Sequence, residues 1–87
     1  MHSNTQLTIN RKPEVLKRLG LAKSTLHDRI NQNLLPPPIS LGARAVGFLQ
    51  HEIDAVLAAM AAGKSNSEIR SLVLKLVAQR KLAAQGD

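Results

Sequence analysis

Lys23, Ser24, Thr25 and His27 crowd into five consecutive positions, with Arg29 just beyond them and Arg44 further along the chain. Each side chain carries an N–H or O–H donor, and no nucleophile–histidine–carboxylate set in a recognisable context accompanies them. Leu26 and Ile30 stand at i, i+4 within the same stretch. A helix over about Lys23 to Gln32 therefore buries one side and leaves the donors on the others. A row of donors on an exposed helix suits duplex DNA, because the major groove admits one α-helix and presents acceptors on base edges, while the flanking phosphates accept as well. For each residue taken alone, an ordinary solvated helix face explains the pattern equally well, and Ser24 and Thr25 also suit the capping of a helix start.

Other chemistries fail on spacing. His51-Glu52-Ile53-Asp54-Ala55 opens like a zinc-protease helix, but the second ligand belongs at position 55, where alanine cannot bind metal. Gly63-Lys64-Ser65 ends like a phosphate-binding loop, whose first glycine belongs at position 58, where Ala58 stands. The chain has no cysteine, which removes disulfides, thiolate catalysis and the usual structural zinc sites and agrees with a reducing compartment. The expectation is a protein that is not an enzyme, with no cofactor, no metal and no small-molecule substrate.

The reading helix needs a frame, and the neighbouring residues supply one. Pro13 suits the first position of a helix, where its missing N–H is no loss, and Glu14 sits beside the positive end of the helix dipole. This predicts a helix over about Pro13 to Leu19, ended by Gly20 in the left-handed conformation. Val15, Leu16 and Leu19 then meet Leu21, Leu26 and Ile30, giving a helix-turn-helix corner. Asn33 tolerates a left-handed cap, and Pro36-Pro37-Pro38 forbids both helix and ladder donation, so the chain leaves extended. Ile39-Ser40-Leu41 and Ala45-Val46-Gly47-Phe48 flank the turn Gly42-Ala43-Arg44 and read as a short β-hairpin, or wing.

A third helix is expected over about Gln50 to Ala62, with Ile53, Val56, Leu57 and Met60 at i, i+3, i+4 and i+7 and a stop at Gly63. Ser65-Asn66-Ser67-Glu68 is a capping box. It opens the longest helix, about Asn66 to Ala84, whose stripe runs Ile69, Leu72, Val73, Leu76, Val77 and Ala83. Leu74 and Leu82 fall outside the stripe and point to a second contact surface. The expected fold is mainly α: a winged helix-turn-helix with a short two-stranded hairpin and a long C-terminal helix. Residues 1–10 form an arm, either loose or extended against the later strands. Residues 11–62 form the DNA-binding domain, and residues 63–87 a helix for packing or oligomerisation.

With 87 residues, one Phe, no Trp and no Tyr, the core must come from Leu, Ile, Val and Ala and is thin. The net charge of +6 is uneven. Residues 11–44 hold seven Lys/Arg against two acids, residues 45–63 hold only Glu52 and Asp54, and residues 64–87 hold five against two. Such a balance favours a polyanionic partner through counterion release. Arg11, Lys12, Lys17 and Arg18 are each plain solubilising charges, yet together they supply long-range attraction. No apolar run approaches the roughly 20 residues of a membrane span, and the N-terminus lacks a basic start followed by an apolar block. A cytoplasmic, nucleoid-associated protein is expected.

Glu14-Val15-Leu16, Gly20 to Leu26, Pro36 to Leu49 with its Leu-Gly-x-Arg hairpin, and Glu52-Ile53-Asp54-Ala55 together resemble the AlpA-type phage regulatory proteins, small relatives of excisionases and MerR-type winged-helix domains. The resemblance covers about residues 11–62. It implies a bacterial, prophage- or mobile-element-associated transcriptional regulator that binds double-stranded DNA through the second helix and the wing. Base-facing roles then fall on Lys23, Ser24, Thr25 and His27, and a phosphate contact on Arg44, with Arg29, Arg11 and Lys12 as further DNA-binding candidates. The chain departs from the pattern at Ala22, where a capping serine is usual, and at Phe48 and Val56, where tryptophans are common. Asn33 and Leu35 replace a usual Gly and Phe, and Asp28-Arg29 replaces a basic residue followed by an apolar one. Two alternatives stand beside the regulator: an excisionase-type factor that bends DNA for a recombinase, and a protein-interaction adaptor. The adaptor binds a partner protein through the long helix, and a homodimer or partner-protein contact through residues 66–84 is expected of the regulator as well.

Overall fold

The structure, a computed structural model, describes residues 7–85 and, in the last helix, side chains through Lys81. The first six residues of the expected arm and the side chains of Leu82 and Ala83 lie outside the described residues. The elements run β1 (Ile9–Asn10), α1 (Lys12–Leu19), α2 (Lys23–Asn31), β2 (Ile39–Gly42), β3 (Ala45–Leu49), α3 (Gln50–Ala61) and α4 (Asn66–Gln85). The fold is mainly α, with a hairpin and a long C-terminal helix. Its described Cα atoms span 35 × 31 × 19 Å. The short dimension is about two helix diameters, which leaves room for a single buried layer.

Local backbone chemistry sets most of the boundaries. Helix α1 begins one residue earlier than expected, at Lys12, so Pro13 occupies its second position, where the missing N–H is equally harmless. Gly20 ends it in the left-handed region at φ 67°, a conformation that L side chains avoid. Asn33, at φ 62°, plays the same part after α2, and the Leu34 N–H reaches back to the Arg29 carbonyl at 2.8 Å. The box at the head of α4 closes in both directions. The Glu68 N–H donates to Ser65 Oγ at 3.2 Å, and the Ser65 N–H donates to Glu68 Oε1 at 2.9 Å.

The sheet has three strands rather than two. Its order is β1-β3-β2 and both pairings are antiparallel, with Ile9 opposite Leu49 and Ile39 opposite Gly47. The expected hairpin is present, and Ile9–Asn10 adds a strand to its free edge. Gly47 in the central strand permits this close fit: a Cβ there would lie 2.4 Å from Ile9 Cγ2 and 3.1 Å from Leu41 Cδ1. The Gln50 N–H, one of the orphan donors at the start of α3, bonds the Thr8 carbonyl at 2.8 Å.

Every helix and the central strand feed one core. Val15 of α1, Leu26 of α2, Phe48 of β3, and Ile53 and Val56 of α3 are buried together with Ile69, Val73 and Leu76 of α4. Each such side chain stabilises by about 1.5–3 kcal/mol relative to exposure. Leu34 and Leu35 complete the cluster from the loop after α2, and Pro36 beside them is fully buried. The proline-rich exit is therefore part of the core as well as a breaker. The expected partners Leu16, Leu19, Leu21 and Ile30 are partly buried against the same cluster.

Candidate nucleic-acid interface

Helix α2 turns one narrow side inward. Leu26 is wholly buried and Ile30 partly so, while Lys23, Ser24, Thr25, His27 and Asp28 are exposed. One turn separates Leu26 from Ile30, and the offset to Ser24 and Asp28 is two residues, about 200° of helical rotation, which points that second pair away from the core. The helix opens on Ala22, with no side-chain cap. Ser24 and Thr25 thus fall inside the helix, and their suitability as caps is not realised because the capping position is one an alanine holds. Their hydroxyls stay on the exposed surface.

The other expected site residues are distributed around this helix. Lys12 and His27, fifteen positions apart, meet with Lys12 Nζ 3.2 Å from His27 Nε2. The ammonium only donates, so in this contact Nε2 is the acceptor. Arg11 is the exposed residue just before α1. Arg29 is half-buried, and among the described residues it forms no ion pair with Asp28 or any other acid. Arg44 is exposed at the turn of the hairpin, and no side-chain hydrogen bond joins it to α2 among the described residues. Lys12 and His27 are thus brought together with α2, and Arg44 stands apart on the wing.

The family model of the prophage CP4-57 regulatory protein AlpA matches residues 8–59. The chain belongs to the AlpA family of phage regulatory proteins. A curated protein of Enterobacteria phage P4, described as uncharacterized protein ORF88, is 38% identical over 60 residues, covering 69% of this chain and 68% of that one. No solved structure matches the chain significantly. The AlpA-matched segment runs from the start of β1 through most of α3, so α4 lies beyond it. No helix among the described residues is long and apolar enough to cross a membrane.

Although outside the AlpA segment, α4 positions the elements within it. Glu52 is 1% exposed, and Arg80 grips it with two bonds, Nε to Oε2 at 2.8 Å and Nη2 to Oε1 at 2.6 Å. The same Nη2 donates to the Pro37 carbonyl at 2.7 Å. One guanidinium therefore joins α4, α3 and the proline exit that leads to the wing. Arg70 Nε donates to the Gln32 carbonyl at 2.9 Å, satisfying an orphan acceptor at the end of α2. On the opposite side, Arg18 bonds both Asp54 and the buried Asn10, the latter at 2.9 Å. Asn10 in turn donates to Gln50 at 3.3 Å.

Sequence reasoning missed Glu52, Arg80, Arg70 and Asn10 as organisers. Glu52 is an acid in the first turn of α3, a place where the helix dipole alone would account for it. A signal was available: it stands one residue before the strongly apolar Ile53, on the inner side of the helix, where a carboxylate requires a partner. Glu68, by contrast, is fully exposed, and its carboxyl lies below the ordinary 4.5 because the Ser65 N–H and hydroxyl bond it and Lys64 is near.

Proposed function

We propose that this AlpA-family chain is a sequence-specific, double-stranded-DNA-binding regulator acting on prophage or mobile-element DNA in the bacterial cytoplasm. Helix α2 is the reader. Lys23 and His27 donate to base edges, Ser24 and Thr25 bond base edges or phosphates, and Arg44 on the wing holds backbone. Arg29, Arg11 and Lys12 add positive potential around them. The observation that carries this reading is the division of α2 itself: its apolar residues Leu26 and Ile30 turn inward, and Lys23, Ser24, Thr25, His27 and Asp28 are exposed. Membership of a regulatory family supports it, and so does the seven-to-two excess of basic residues over residues 11–44.

The test is fluorescence anisotropy with duplex DNA across a salt series. Lys23→Ala combined with Arg44→Ala lowers affinity, and it flattens the dependence of log K on log salt by about one, the share of the Arg44 phosphate contact. Unchanged affinity in the double variant overturns the assignment.

A second reading has one supporting observation. Leu74 on α4 is 66% exposed, which suits a homodimer or partner contact through residues 66–84. Pairing two weak readers on two half-sites would raise affinity by effective concentration. Sedimentation equilibrium of Leu74→Glu against the parent chain tests it: a dimer that becomes a monomer supports the contact, and two monomers dismiss the homodimer.

A further inference from the structure

Asp28 is the acid on α2, and nothing in the fold accounts for it. Of the acids among the described residues, Glu52 is held by Arg80, Asp54 by Arg18 and Glu68 by Ser65, while Glu14 sits in the first turn of α1 beside the positive dipole end. Asp28 is exposed, and its carboxylate has neither an ion pair nor a side-chain hydrogen bond among the described residues. It falls in the last turn of α2, where the helix dipole disfavours negative charge. On a surface that meets a polyanion it also repels phosphate. Water solvates this carboxylate in the free protein, but once it is desolvated against the duplex it requires a compensating donor, and the major groove offers such donors only on particular bases.

We propose that Asp28 reads sequence, selecting a C·G pair by accepting a hydrogen bond from the cytosine N4 amino group. The inference rests on the DNA-binding reading of α2. Thymine O4 and guanine O6 and N7 are acceptors, and against them the carboxylate is a desolvated charge without a partner. Adenine N6 is a donor, but the neighbouring N7 acceptor repels the second carboxylate oxygen. Cytosine presents its amino group without an adjacent acceptor on the same base. Ser24 lies one turn before Asp28 on the same line of the helix. Their separation along the axis is about 6 Å, under two base-pair steps at roughly 3.4 Å each, so the two residues address neighbouring pairs. Asp28 thus serves to reject wrong sites, while Lys23 and the surrounding cations supply attraction to any site.

The experiment selects bound sites from random duplexes with the full chain as parent, Asp28→Asn and Asp28→Ala, then measures selected duplexes by anisotropy at several salt concentrations. The parent is expected to select one near-invariant C·G position and to lose about tenfold in affinity when that pair is replaced. Asp28→Asn moves the preference there to A·T, because an amide pairs with adenine N6 and N7, and Asp28→Ala leaves the position degenerate. If both variants select the parent's motif and bind every site more tightly by one factor, the base-reading role of Asp28 is overturned while DNA recognition by α2 stands. If the parent selects no sequence and shows no salt-dependent binding, the reading of α2 itself fails and takes the Asp28 role with it.

Discussion

Helices α2 and α4 both carry Lys and Arg, but the arginines of α4 bond within the molecule, whereas Lys23 and Arg29 of α2 form no ion pair or side-chain hydrogen bond among the described residues. On α4, Arg70 and Arg80 turn inward to the Gln32 carbonyl, Glu52 and the Pro37 carbonyl. On α2, Lys23 points out, and Arg29 is half-buried without an acid partner among the described residues. The starts of the two helices differ in the same sense. Helix α4 opens on a reciprocal Ser65–Glu68 box, whereas α2 opens on Ala22 with no cap. The long helix is thus stabilised by its own sequence and lends order to its neighbours, while the short one depends on tertiary contacts and keeps its polar groups free. The Arg80 charge is already paired with Glu52 and adds little to attraction for a polyanion, so the formal charge of α4 overstates by that one pair what the helix offers DNA.

Removing the inward arginines should break this contrast most severely. Arg80→Ala leaves Glu52 buried without a counter-charge, and the expected loss is about 3–5 kcal/mol, measured by urea denaturation. Glu52→Met with Arg80→Met should recover most of it, because two apolar side chains leave neither a buried charge nor an unpaired polar group between them. Arg70→Ala removes an exposed bond to the end of α2 and should lower stability by about 1 kcal/mol. Hydrogen exchange should then quicken in the last turn of α2 and leave α4 protected. Giving α2 the cap that α4 already has, through Ala22→Ser, should add about 0.5–1 kcal/mol, read as a higher melting midpoint with the exposed surface of α2 unchanged.

The smallest effect concerns pH. Glu68 titrates lower in the folded chain than the ordinary 4.5, so it favours folding above that value, and its contribution fades as the pH falls through the lower folded value. Glu68→Gln should therefore narrow the stability difference between pH 7 and pH 3, and an unchanged difference would dismiss the box as a pH-linked element.

The features legible in sequence are those set within a few residues. Gly20, Asn33, Gly63 and Ser65-Asn66-Ser67-Glu68 mark element ends through backbone conformation and local hydrogen bonds, and the helices begin and end within a residue or two of where these signals put them. The spacing of Leu26 and Ile30 likewise identified which side of α2 is exposed. What was not legible depends on distant partners. Arg80 meets Pro37 across 43 positions, and Asn10 meets Gln50 across 40. The two-residue strand Ile9–Asn10 has too few residues to show alternation, and it forms because β3 offers an unpaired edge and Gly47 leaves room for Ile9. The burial of Leu34 gave no periodic signal, because it lies between α2 and the prolines, where too few positions stand to show one. Within the candidate site, the Lys12–His27 contact was hidden for the same reason, since the helix-turn-helix corner alone brings them together.

The most direct measurement is amide chemical-shift mapping of the full chain during titration with duplex DNA. Recognition by α2 predicts that the largest changes fall on Lys23 to Arg29, with a second set at Ala43 to Ala45 of the wing and little movement around Leu74. Changes gathered on the outer face of α4, with Lys23 to Arg29 unmoved, would contradict it.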